Sequence, residues 1–237
     1  MDISQKPTTN IQQLTAKSQQ PTANIQQPTT NNQQPMTNLA LLASGSGTNV
    51  ENFIHYFRDH PVVEIALVVC DREGAYVRER ARKHGIPEML VPGPAWKDPE
   101  ALKSLFAAYR IDYLVLAGFL RLVPRELIAA YPGRILNIHP ALLPDFGGKG
   151  MYGMHVHRAV IDAGAKESGI SIHLVNDRYD EGRVLFQAKV RLEAGESPES
   201  LAEKVHALEY AHYPAVVESW VLKSMADKPQ QPKANSQ

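Results

Sequence analysis

"LALLASGSGTNVENFIHYF", residues 39 to 57, sets a short apolar run against a glycine-rich turn and then a patterned stretch. The run at 39 to 44 reads as a buried strand, while Val50, Phe53, Ile54 and Phe57 recur at the spacing that places them on one face of a helix. Between the two, Gly45, Gly47, Thr48 and Asn49 are small enough for backbone N–H groups to approach an anion, which the positive end of the helix dipole also favours. By itself this turn has two readings, a phosphate cradle and a glycine turn that lets helix and strand pack. It is a poor dinucleotide fingerprint, because Val50 stands where G-x-G-x-x-G needs its third glycine, and no Lys-Ser/Thr pair closes it as a P-loop.

The same alternation continues along the chain. "EIALVVC" (64 to 70) is a second strand, a helix at about 74 to 84 ends at Gly85 with Pro87 beyond, and "EMLVP" is a short strand. "DPEALKSLFAAYR" opens a helix with Asp98 as N-cap and Pro99 at the first helical position. "DYLVLAGF" (112 to 119) is the fourth strand, a short helix near 124 to 130 leads to "RILNIH" (134 to 139), and another helix follows at about 155 to 163. "ISIHLVN" and "RVLFQAKVRL" are close enough to pair antiparallel, and a long helix begins at Ser197 with Pro198 and Glu199 in its first turn. With right-handed crossovers this order predicts an α/β fold: a doubly wound, Rossmann-like, mostly parallel sheet with an antiparallel C-terminal part and ligands at the carboxyl ends of its strands.

The chain has 237 residues, 43% of them hydrophobic, which suits one domain, placed at 38–222. Residues 1–37 repeat "QQPT" and are polar and free of aromatics; a tail of this kind buries too little surface to offset its ordering entropy and is expected to be disordered, as is 223–237. Lys and Arg total 25, as do Asp and Glu, so no net field draws in nucleic acid or an anionic membrane, and small molecules are the expected partners. Cys70 is the single cysteine, which fits a reducing, cytoplasmic setting and argues against a zinc cluster. No apolar run approaches the roughly 20 residues of a membrane span.

"RILNIH" then carries two polar side chains. Asn137 and His139 are two apart, so on an extended strand they share a face, and Pro140 ends the ladder directly after them. An amide and an imidazole converging there suit the stabilisation of a developing oxyanion; a hydrogen-bonded Asn and a core His are the plainer alternative. "VNDRYDEGRVL" places Asp177, Asp180 and Glu181 in the following turn, where a carboxylate can orient the imidazole, although Asp177 equally fits turn chemistry.

"GSGTN", "LAGFLR", "LNIHPALLP", "DEG" and "EYAHYP" occur in an order and spacing that resembles the folate-dependent phosphoribosylglycinamide formyltransferases, over residues 39 to about 222. The resemblance implies a formyltransferase fold and 10-formyltetrahydrofolate as cosubstrate, with no metal. It implies Asn137 and His139 as the catalytic pair, His139 as proton donor, and Asp180 as the carboxylate that raises the imidazole pKa. Gly47, Thr48 and Asn49 would cradle the phosphate of the ribonucleotide, and His206 and Glu209 would contact its sugar and glycinamide. Leu120, Arg121, Leu122 and Val123 would line the folate pocket with Asn137, Asn176, Asp177 and Asp180. The glycine-rich stretch 145–154 is longer than the compact form and is expected to be a reshaped lid, and Lys97 is a candidate to replace an Arg on the folate tail. His155, His157 and His173 lack the cysteine or carboxylate set that would make a metal site, and packing or substrate contact is expected of them instead. Other formyltransferases or a formyltetrahydrofolate hydrolase on the same scaffold are the rival readings.

Overall fold

The computed structural model describes residues 36–227; the greater part of both expected tails lies outside the described residues. Five strands run parallel: β1 (Thr37–Ala43), β2 (Val63–Cys70), β3 (Glu88–Leu90), β4 (Tyr113–Leu116) and β5 (Ile135–His139). β6 (Glu167–Leu174) and β7 (Val184–Arg191) add to β5 antiparallel, giving the order β3-β2-β1-β4-β5-β6-β7. The doubly wound sheet with an antiparallel end, expected from the alternation, is the observed fold.

Alternation along β1 explains why the sheet is buried on both faces. Leu39, Leu41 and Ala43 enter one core, together with Val50, Phe53, Ile54 and Phe57 of α1 (Thr48–Phe57), Val77 of α2 (Val77–Lys83), Val156 of α5 (Met154–Asp162) and Leu201, Tyr213 and Val217 of α6 (Pro198–Ala226). Ala40 and Leu42 point the other way, to Leu102, Leu105 and Phe106 of α3 (Pro99–Ala108), Leu127 of α4 (Arg125–Ala130) and Trp96 of a 3₁₀ turn. A strand covered on both sides needs the near-continuous apolar run that "LALLA" supplies.

Among the boundaries that differ from the sequence reading, three bear on the crevice or on the ends of helices. β4 stops at Leu116 rather than reaching 119, because Gly118 turns into the left-handed region (φ 78°) and its carbonyl accepts from the Ser44 amide. Residues 117–119 are thereby turned into a wall of the cavity described below. α2 begins at Val77 rather than near 74, and α6 continues to Ala226, past the domain end expected at 222.

α6 also contains Pro214, which lacks an N–H and so frees the carbonyl of Tyr210 four residues earlier. The Asn52 amide of α1 donates to that carbonyl at 3.0 Å, so the break in the helix ladder becomes a tie between the two helices. Next to it, the fully buried Tyr213 hydroxyl shares its proton between Leu116 O (3.0 Å) and Leu136 O (3.3 Å), bridging β4 and β5 just before their carboxyl ends.

The sheet reverses its winding at β1, since the chain proceeds through β2 and β3 on one side and β4 and β5 on the other. A crevice at such a switch point, outside the carboxyl ends of the strands, is where ligands bind in open α/β sheets. The glycine loop after β1 and the segment after β4 form its two lips, tied by the Leu120 amide donating to Ser44 Oγ at 3.0 Å.

Candidate active site

The glycine loop is arranged so that its carbonyls face away from the crevice. Gly45 O accepts from the Val77 amide, Ser46 O from Arg80 Nε at 2.9 Å, and Gly47 O from the Glu51 amide. The amides of Ser46, Gly47 and Thr48 donate to no partner among the described residues. In a trans peptide the N–H opposes the C=O, so fixing the Ser46 carbonyl on Arg80 directs the Gly47 N–H the other way. Gly47 is required twice over: its φ is 76°, and a Cβ there would stand 2.4 Å from Val77 Cγ2. Asn49 donates from Nδ2 to Glu209 Oε2 at 2.8 Å, linking the loop to α6. Burial pushes the Glu209 carboxyl up; the Asn49 hydrogen bond and nearby His206 pull it down without reversing the shift.

At the end of β5, Asn137 and His139 face the crevice side by side, as the two-residue spacing predicts. Pairing with β6 sets His173 directly opposite Asn137. His173 Nδ1 donates to Leu174 O at 2.9 Å, which leaves Nε2 to accept from Asn137 Nδ2 at 3.1 Å. The second Asn137 hydrogen reaches Asp180 Oδ1 at 3.4 Å. His139 Nε2 donates to Phe146 O at 2.8 Å, so Nδ1 faces Asp180 Oδ2 at 3.5 Å. The Gly148 amide completes the set by donating to Asp180 Oδ2 at 3.0 Å.

Two features of the turn place Asp180 here. Its own backbone is left-handed (φ 58°), and Gly182 passes so near β6 that a Cβ would lie 1.6 Å from Leu174 O. A register shift at His173 in the β6–β7 ladder adds the local twist usual beside functional sites. The loop after β5 is pinned from the opposite strand, with Ser171 Oγ accepting from the Leu143 amide and donating to Ala141 O.

The electrostatics correct one expectation. Asp180 does pull the His139 pKa upward, but burial is the larger influence and the imidazole ends below its ordinary value. Burial would raise the Asp180 carboxyl; the His173 contact, the His139 ring and the Gly148 amide outweigh it and hold the group below the usual carboxylate range.

A cavity of about 530 Å³ joins the two ends. Gly47, Thr48, Asn49, His206 and Glu209 line it at the loop, Asn137, His139 and Asp180 at the strand end, and Leu120, Arg121, Leu122, Val123 and Asn176 along the remaining wall. Asp177 does not belong to it. Its carboxylate pairs with Arg125 at 2.8 Å on the outside of the turn, where the side chain is 43% exposed. Lys97 is exposed and outside the lining as well. From the glycine-rich stretch, Gly148 to Gly153 contribute to the cavity wall.

The surroundings of three further lining residues do not follow from spacing. The sequence leaves His173 to packing or substrate contact rather than to metal, and its place opposite Asn137 follows once the β5–β6 register is fixed. His157 is 2% exposed with Nδ1 unpartnered, and burial, with His206 and His139 nearby, lowers its pKa to about 4. Arg121 is held by Asp71, whose Oδ2 accepts from Nε at 2.6 Å. Only a carboxylate following the second strand, in "CDREG", could have hinted at that contact.

The formyl transferase family profile matches residues 37–217. A chloroplastic phosphoribosylglycinamide formyltransferase of Arabidopsis thaliana is 43% identical over 185 residues, covering 76% of this chain and 63% of the relative. A Vigna unguiculata counterpart is 39% identical with 60% of its length covered, so the chain spans under two thirds of these plant relatives. The phosphoribosylglycinamide formyltransferase of Escherichia coli is 36% identical, with 77% of this chain and 85% of the relative covered. The crystal structure of the Bacillus halodurans enzyme of that name superposes with a TM-score of 0.72 at 36% identity, covering 79% of this chain and 97% of that one.

Proposed function

The chain belongs to the formyl transferase family, and on that premise we propose that it transfers a formyl group from 10-formyltetrahydrofolate to the amine of 5-phosphoribosylglycinamide, a step of purine biosynthesis. One observation carries the reading: a single cavity runs from unpartnered loop amides suited to a phosphate to the Asn137, His139 and Asp180 cluster suited to acyl transfer.

In this reading the ribonucleotide phosphate sits on the Ser46, Gly47 and Thr48 amides, with His206 and Glu209 towards its sugar and glycinamide. The folate lies along Leu120 to Val123 and Asn176. The neutral amine attacks the formyl carbon; a C–N bond to the glycinamide forms, the C–N bond to the folate breaks, and one proton passes from the amine to the departing folate nitrogen. The tetrahedral oxyanion accepts a hydrogen bond from Asn137 Nδ2, displacing the longer of that amide's two contacts, the one with Asp180 at 3.4 Å. That exchange leaves Asp180 Oδ2 facing His139 Nδ1, the one nitrogen of the ring free to gain a proton. Aligning two bound substrates supplies further acceleration.

No step in this scheme calls on a metal. Cytoplasmic placement belongs to the same reading and rests on the lone buried thiol of Cys70; among the described residues no helix is long and apolar enough to cross a membrane.

The test is turnover by the purified chain with each substrate alone and with both. Loss of 10-formyltetrahydrofolate matched by formylated ribonucleotide, only when both are present, supports the proposal. Equal loss without the ribonucleotide would instead indicate hydrolysis, and loss only with another amine would indicate a different acceptor.

A further inference from the structure

Glu51 and His55 stand four residues apart on α1, so their side chains leave the same face one turn apart. The C-terminal end of α2 brings His84 against them. Glu51 Oε1 lies 3.5 Å from His84 Nε2, and the His55 and His84 rings meet edge to face with centroids 5.0 Å apart. One ligand atom from each of the three residues lies within 4.8 Å of the others, and none of the three lines the cavity of the candidate active site. We propose that Glu51, His55 and His84 form a separate binding site for a divalent transition ion of the zinc class, tying α1 to the end of α2.

Two imidazoles and a carboxylate are a donor set that zinc, cobalt and nickel accept. With metal–nitrogen and metal–oxygen distances of about 2.0–2.2 Å, two ligands on a tetrahedral ion stand about 3.4 Å apart. The Glu51 to His84 separation of 3.5 Å already matches that edge. His55 is exposed and reaches the ion by side-chain rotation, exchanging the 2.9 Å contact of its Nδ1 with Arg58; an exposed contact of that kind is worth little.

The remaining oxygen of Glu51 is engaged by Arg80, so coordination through Oε1 leaves that pairing intact and the carboxylate already oriented. Three protein ligands leave the fourth position to water, making the ion exchangeable. The tie has a structural consequence, since α1 begins at the anion loop and α2 packs Val77 against Gly47 of that loop. Spacing along the sequence does not reveal this group, because His84 is remote along the chain from Glu51 and His55.

The experiment is a titration of the full chain, purified without a histidine tag and stripped with chelator, with Co²⁺ and then Zn²⁺. One equivalent of Co²⁺ should bind with the intense visible bands of a four-coordinate ion, be displaced by Zn²⁺ and raise the melting temperature. Outer-sphere partners alone are worth about 10–100-fold in metal affinity, so His55→Ala and His84→Ala should each weaken binding by at least about tenfold. His55 is exposed, and its variant should keep the fold and the metal-free melting temperature. The absence of saturable binding, or an equivalent retained by both variants and held by the active-site histidines, would overturn the assignment.

Discussion

The amide of Asn137 is held by His173, whose Nε2 accepts from Asn137 Nδ2 at 3.1 Å across the β5–β6 ladder. The carbonyl of Leu174 fixes the His173 tautomer by accepting from its other nitrogen. His173 therefore orients a donor rather than meeting substrate itself. His173→Ala should lower kcat by about tenfold with little change in either KM, and His173→Gln, whose amide oxygen can accept the same hydrogen, should recover part of the loss. An effect confined to KM would place His173 in substrate binding instead.

Arg80 acts on the anion loop through the Ser46 carbonyl. Removing a hydrogen bond from a charged donor costs about 1.5–3 kcal/mol, at least about tenfold in affinity where it supports binding. Arg80→Met should raise the KM for the ribonucleotide by about tenfold and leave that for the folate nearly unchanged. A shared loss would show a general loosening of α2.

Asn49→Ala removes the partner of the buried Glu209 carboxyl. Leaving such a group unpaired costs about 1–3 kcal/mol, so the melting temperature should fall, and ribonucleotide binding should weaken more than folate binding. Unchanged stability would mean that Glu209 finds another donor.

Acid should destabilise the protein through its buried imidazoles. The folded-state pKa of His157 is lowered to about 4 and that of His139 is also lowered. Below the ordinary value of about 6.5 the unfolded chain takes up protons that the folded chain refuses. The contribution is full above that value and is lost as pH falls through the folded pKa, so the melting temperature should drop between about pH 6.5 and 4. Asp180, depressed below the usual carboxylate range, adds nothing until lower pH. The drop should be shallower in His157→Gln; an identical slope would show that His157 is not held neutral.

The fold and the site are legible in the sequence as far as regular spacing extends. The strand, glycine loop and helix at 37–57 were legible because apolar residues recur with the periods of their elements, and Asn137 and His139 because a strand alternates. The turn at 175–183 has no period, so spacing could not separate Asp180, left-handed and turned inward, from Asp177, turned out to Arg125. His173 needed the register between strands, and the direction of the His139 shift needed its burial. β4 looked longer than it is because the residues lining a crevice can be as apolar as those of a strand.

The most direct measurement is two-substrate turnover of Asp180→Asn beside Asp177→Asn. Asp180→Asn keeps the shape of the group and removes the charge that faces His139 Nδ1 and draws its pKa upward. Turnover should fall by about 10² or more, the scale of losing a group that acts in the transition state. The KM for the ribonucleotide should change little, since its phosphate is assigned to the far end of the cavity. Asp177→Asn, altering only an exposed pair with Arg125, should stay within about twofold of the parent. Near-normal turnover in Asp180→Asn, or the larger loss in Asp177→Asn, would contradict the assignment of Asp180 to the catalytic cluster with Asn137 and His139.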